Sequence, residues 1–131
     1  MTNSEKEELK LRFGIALLKV IHANKEKADK NKEKGIRDLQ LIDSLRKLES
    51  ASGIPYASIH RIAAGTKNAG FTTIAAIVEG LGISLTDFFS DYYYAVTDSD
   101  IELNKKERSK KKKVALKAKA ARTKSTFKKE K

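Results

Sequence analysis

Residues 52–70 read SGIPYASIHRIAAGTKNAG, a stretch that places three glycines and the chain's single proline around isoleucines three positions apart. Gly53 can take the positive φ of a sharp turn without steric cost, Ile54 is placed to plug the angle behind it, and Pro55 suits a first helical turn, where a missing N–H has no intrahelical partner. The spacing predicts a short helix from Pro55 to about Ala64, closed by Gly65. At about 100° per residue, Ser58, Ile59 and Ile62 share one side of that helix. Ala57, His60, Arg61 and Ala64 share the other, with Tyr56 at its N-terminal edge. One side is a core anchor. The other combines small residues, which permit close approach, with two long donors, and such a face suits the major groove of DNA, which admits one α-helix.

Working outward, Leu9, Phe13, Leu17 and Val20 recur at helical spacing beside Ala16 and Ile21, and Glu5, Glu7 and Glu8 favour a helix N-terminus. They predict a first helix over about 5–24. A charged insertion at about 24–40 follows, beginning NKEKADKNKEKG. It reads either as a frayed, solvated end of the first helix with Glu26 paired to Lys30, or as a loop, and the first is preferred. Leu41, Leu45 and Leu48 mark a second helix with Asp43 or Ser44 as its N-cap, and IRDLQLI at 36–42 is either a lead-in turn or an extra helical turn. Beyond the opening stretch, Ile74, Ile77, Val78 and Leu81 predict a fourth helix ended by Gly82. Ser84 and Asp87 begin a fifth, with Leu85, Phe88, Phe89 and Tyr92 as its apolar face. Nothing alternates at period two, so the fold class expected for 1–95 is an all-α, five-helix domain.

The remainder, 96–131, has an acidic hinge, TDSDIE, and then a lysine-rich tail too poor in apolar residues to offset its ordering entropy, expected to be disordered or frayed-helical. The net charge of +11 is a property of that tail. Residues 104–131 hold 14 of the 28 lysines and arginines against Glu107 and Glu130, whereas residues 1–103 balance 14 cations with 15 acids. That asymmetry points to a polyanion, nucleic acid or an acidic membrane surface. A chain of 131 residues without cysteine and without an apolar run of membrane-spanning length is expected to be a cytoplasmic protein of one domain plus tail. Two histidines 38 positions apart give no metal-ligand spacing, and no nucleophile motif or phosphate-cradling glycine loop is present. No catalytic residue, cofactor, metal or small-molecule site is expected.

The segments SLRKLESASGIPYASIHRIAAGTKNAG (44–70) and FTTIAAIVEGLGISLTDFF (71–89), with LRFGIALLKVI (11–21) before them, resemble the helix-turn-helix transcriptional regulators of the phage-repressor and Cro type. The landmarks are Leu48, Gly53, Ile54, Ile59, Ile62 and Gly65, then LGIS and the short aromatic fifth helix. The resemblance implies sequence-specific binding of double-stranded DNA. Tyr56, Ala57, His60, Arg61 and Ala64 would face bases, and Arg46, Thr66, Lys67 and Asn68 phosphates; Gly53, Pro55 and Gly65 would shape the turn. It also implies a homodimer, for which Phe89, Tyr93 and Tyr94 are the candidate seam if they are not simply a lid on the core. The chain departs from the family at Glu49, where alanine is usual, at Ala63, often glutamate, and in the long insertion. Two other readings fit the residues: an antitoxin-like module that binds a protein partner, and a non-specific nucleic-acid or nucleoid protein dominated by its tail.

Overall fold

The computed structural model describes residues 1–35 and 41–129, with side chains through 111 and at 113 and 116. The first helix, α1, runs from Asn3 to Glu33, and its start is capped by Thr2, whose hydroxyl accepts from the Glu5 N–H at 3.2 Å. Leu11, Phe13, Ala16, Leu17, Val20 and Ile21 form its buried stripe. The helix does not stop near 24: most of the charged insertion described here is its solvated continuation. Lysine, glutamate and alanine are good helix formers, and Lys30 and Lys32 suit the negative end of the helix dipole. Glu26 lies 3.2 Å from His22 across one turn, in place of the expected pairing with Lys30. Gly35 turns the chain at φ 75°. Of the lead-in suggested for 36–42, residues 36–40 fall outside the described residues.

Leu41, Ile42 and Asp43 are not helical, so Leu41 does not belong to the second helix. Asn24 on α1 donates its side-chain amide to the Ile42 carbonyl at 2.8 Å and fixes the returning chain. Helix α2 spans Leu45–Ser52. Of its two candidate caps, Ser44 is the one used, accepting from the Lys47 N–H at 3.2 Å; Asp43 instead pairs with the Lys47 ammonium at 2.7 Å. Gly53 ends α2 in the left-handed region, at φ 75° and ψ 7°. Ser52 ties the corner: its hydroxyl donates to the Leu48 carbonyl at 2.7 Å and accepts from the Ile54 N–H at 3.2 Å. Helix α3 then runs from Tyr56 to Ala63. Pro55 stands one position before the first turn, as the N-cap with ψ 140°. Gly65, at φ 74°, closes the helix with paired bonds from Gly65 N–H to the Ile62 carbonyl and from Thr66 N–H to the Arg61 carbonyl.

Helix α4, Phe71–Gly80, ends the same way at Gly82. Ser84 then caps α5, Leu85–Phe88, by accepting from the Asp87 N–H at 3.1 Å. The fifth helix is shorter than its aromatic pattern suggests, because the chain widens into a π-helical turn over Phe89–Tyr93. Phe88 alone of its expected apolar face is fully buried, while Leu85, Phe89 and Tyr92 are half-buried.

The core joins α1 to α3 and to the π-helical turn, α2 to α3 and α4, and α4 to α5. Leu17, Leu48, Ile59, Ile62, Ile77, Val78 and Phe88 are its largest fully buried members, and Phe13 meets Phe88 with ring centroids 5.4 Å apart. Gly14 lets α1 touch the backbone of α3: a Cβ there would lie 2.4 Å from the Ala63 carbonyl oxygen and 2.8 Å from that of Ile62. The described residues contain six α-helices and no strand, an all-α architecture.

The chain divides into two compact units, Met1–Thr97 and Asp98–Lys131. In the second, α6 is helical from Asp98 to Lys129. The stretch read as an acidic hinge is therefore the helix start, with Asp98 and Asp100 in the first turn and the lysines downstream. That charge order matches the helix dipole, and the alanines among the lysines favour helix. No single helix among the described residues is long and apolar enough to cross a membrane.

Candidate nucleic-acid interface

The site begins with how α3 is held. Ile59 and Ile62, at 0% and 1% exposure, and Ala63 face the core, and the contact at Gly14 presses the end of the helix against α1. The opposite side is left outward: Ala57, His60 and Arg61 are exposed, and Tyr56 and Ala64 are half-buried. None of the five residues expected to face bases is therefore part of the fully buried core.

The start of α3 depends on a residue that sequence reasoning did not assign. Pro55 makes no side-chain cap, and the Glu49 carboxylate, reaching across the turn from α2, accepts the Tyr56 N–H instead. A negative group at this position meets both an orphan donor and the positive end of the helix dipole. Glu49 was visible in the sequence only as a departure from the resembling family. Its use depends on a distance across the turn that linear spacing does not provide. Gly14 was missed for the same reason, its signal being a lone glycine within an apolar helical run.

Arg46 and Tyr56, read separately from the sequence, form one unit. The Arg46 guanidinium carbon sits 3.8 Å from the centroid of the Tyr56 ring, and that ring is 5.9 Å from His60. Stacking on an aromatic face orients a guanidinium while leaving its edge N–H groups available for an acceptor. After α3, Thr66, Lys67 and Asn68 are all exposed. Thr66 donates its hydroxyl to the Arg61 carbonyl at 3.2 Å, and Lys67 donates to the Ser58 hydroxyl at 3.1 Å, so this loop is folded back along α3. Arg46, Arg61 and Lys67 thus come from α2, α3 and the loop behind it.

The aromatic group lies on the π-helical turn. Phe89 and Tyr93 are half-buried with centroids 5.2 Å apart, and Tyr94 projects at 74% exposure. Arg12 stacks 5.8 Å from the Tyr93 ring and donates to the Val96 carbonyl at 2.6 Å. Burial raises the Tyr93 phenol above its ordinary value against the opposing pull of Arg12, with Tyr94 adding a smaller upward push. It is therefore neutral at physiological pH. His22 is exposed, and no group of three histidine or acidic side chains among the described residues is placed to hold a metal ion.

Neither a protein-family model, nor a curated protein, nor a solved structure matches this chain.

Proposed function

We propose that the protein binds double-stranded DNA sequence-specifically, as a repressor-like helix-turn-helix regulator with α3 as its recognition helix. One observation carries the reading: α3 is anchored from behind by Ile59 and Ile62 while Ala57, His60 and Arg61 stay exposed beside the stacked Arg46–Tyr56 pair. Ala57 lets the helix backbone approach the floor of the major groove. Arg61 donates in bidentate fashion to guanine O6 and N7, the commonest specific side-chain contact, and His60 adds a single hydrogen bond. Arg46, steadied on Tyr56, and the loop Thr66–Asn68 meet phosphates and set the register of the helix without reading sequence. The cations of residues 104–131 add sequence-independent affinity by releasing counterions. Regulation follows from occupying or presenting a promoter, in the cytoplasm, with no cofactor and no chemistry on the DNA. A homodimer on a palindromic site, with Tyr94 at the seam beside Phe89 and Tyr93, completes the proposal.

The segregation of charge favours one rival, a non-specific nucleic-acid protein, because residues 1–103 carry slightly more acids than cations. Selection of bound duplexes from a random pool separates the two. Enrichment of one motif, with affinity at least tenfold above random duplex, supports the helix-turn-helix reading, and equal affinity for all duplexes supports the rival. Co-purification with a second protein at fixed stoichiometry would instead favour the antitoxin-like module.

A further inference from the structure

A groove of about 480 Å3 opens between the N-terminal half of α1, the loop after α3, α4 and the π-helical turn. Its lining is apolar at Leu9, Phe13, Ile74 and Phe89 and cationic at Lys6, Lys10 and Lys67, and it includes no acidic side chain. Tyr93 also lines it, and its raised phenol adds no negative charge. Two of the three lysines have only weak partners to exchange. Lys10 lies 2.9 Å from the exposed Glu7, and Lys67 is bonded to a neutral serine hydroxyl. The volume is in the range of small-ligand sites, where an apolar wall supplies affinity and a few polar groups fix orientation.

We propose that this groove binds a small monoanionic amphiphile, a carboxylate or sulfonate on an aliphatic or aromatic body. The body lies on Leu9, Phe13, Ile74 and Phe89, and the head is met by the lysines. Resting on the DNA-binding reading above, the site is also regulatory. Lys67 and Asn68 line the groove and belong to the loop assigned to phosphate. An ammonium drawn to an anion in the groove has less charge to offer a phosphate, and the bound anion places negative charge beside the DNA backbone. Occupancy therefore weakens duplex binding.

The test uses the full chain titrated with anilinonaphthalene sulfonate, followed by fluorescence, with carboxylates of increasing length as competitors. Saturable single-site binding is expected. Decanoate should displace the probe and acetate should not, since each methylene buried multiplies affinity about fourfold. Leu9→Glu, at a position 42% exposed and outside α3, should weaken probe binding at least tenfold with an unchanged melting temperature. Lys6→Glu, also exposed, serves as an independent second variant. Absence of saturation, equal binding by both variants, or acetate competing as well as decanoate would overturn the groove site. With a selected duplex, decanoate at about ten times its Kd should raise the apparent DNA Kd severalfold, up to the roughly elevenfold of strict exclusion, and this effect should vanish in Leu9→Glu. An unchanged duplex affinity would overturn the coupling while leaving the groove. Failure to bind any duplex would remove the DNA reading and the coupling together, with the probe titration still deciding the groove.

Discussion

Glu49 does for α3 what Pro55 cannot, and its effect is measurable apart from DNA. Glu49→Ala should lower stability by ~1 kcal/mol, the ordinary effect of losing an N-terminal cap, and Glu49→Gln by less because an acceptor remains. Thermal denaturation followed by circular dichroism reads the difference. Gly14→Ala tests a different physics. Its Cβ would run into backbone carbonyls 2.4 and 2.8 Å away, which cannot swing aside, so a loss of about 1–3 kcal/mol is expected. Gly53 separates backbone strain from crowding, because nothing lies within 4 Å of a Cβ there. Gly53→Val should cost roughly 1–2 kcal/mol from φ alone, and Gly53→Asn clearly less, since asparagine tolerates the left-handed region. Equal melting temperatures for the two variants would contradict that account. Gly53, Gly65 and Gly82 were legible because a glycine after an apolar helical pattern reports its own backbone requirement. Glu49 and Gly14 were not, because each acts on a partner that only the folded chain brings near.

At the scale of elements, helix existence was legible and helix extent was not. The apolar stripe of α1 ends at Ile21, and beyond it nothing apolar marks a face, yet the helix continues to Glu33 on propensity and charge order. The fifth helix failed in the opposite direction: its aromatics suggested one regular face, whereas the π-helical turn gives them unequal burial. Helix α6 makes a prediction of its own. Lys106, Lys110 and Lys113 recur at i,i+4 and i,i+3 spacing, so like charges are neighbours on the helix and it opposes its own electrostatics. Raising salt from low to near molar should screen that repulsion and increase the helical ellipticity of the full chain. A fall in ellipticity with sodium chloride would show that attractive pairs hold α6 instead.

For the whole molecule, the separation of charge was fully legible, since it needs only counting, and it makes affinity and specificity separable. If the tail engages roughly 4–7 phosphates, deleting residues 104–131 should flatten the slope of log K against log salt by about 4–6, at ~0.9 per contact. All duplexes should weaken together and the preferred site should stay the same, because lysine on phosphate carries no base information. An unchanged slope would make the tail a solvated appendage, and a changed preference would make it a groove reader.

The central claim is that the outward face of α3 reads bases, and Arg61→Ala tests it most directly. The measurement is the affinity of the wild-type and variant chains for the selected duplex and for a random one at the same salt. Loss of about 1–3 kcal/mol on the selected duplex, with random-duplex affinity nearly unchanged, is the predicted result. Equal losses on both duplexes, or none on either, would contradict it.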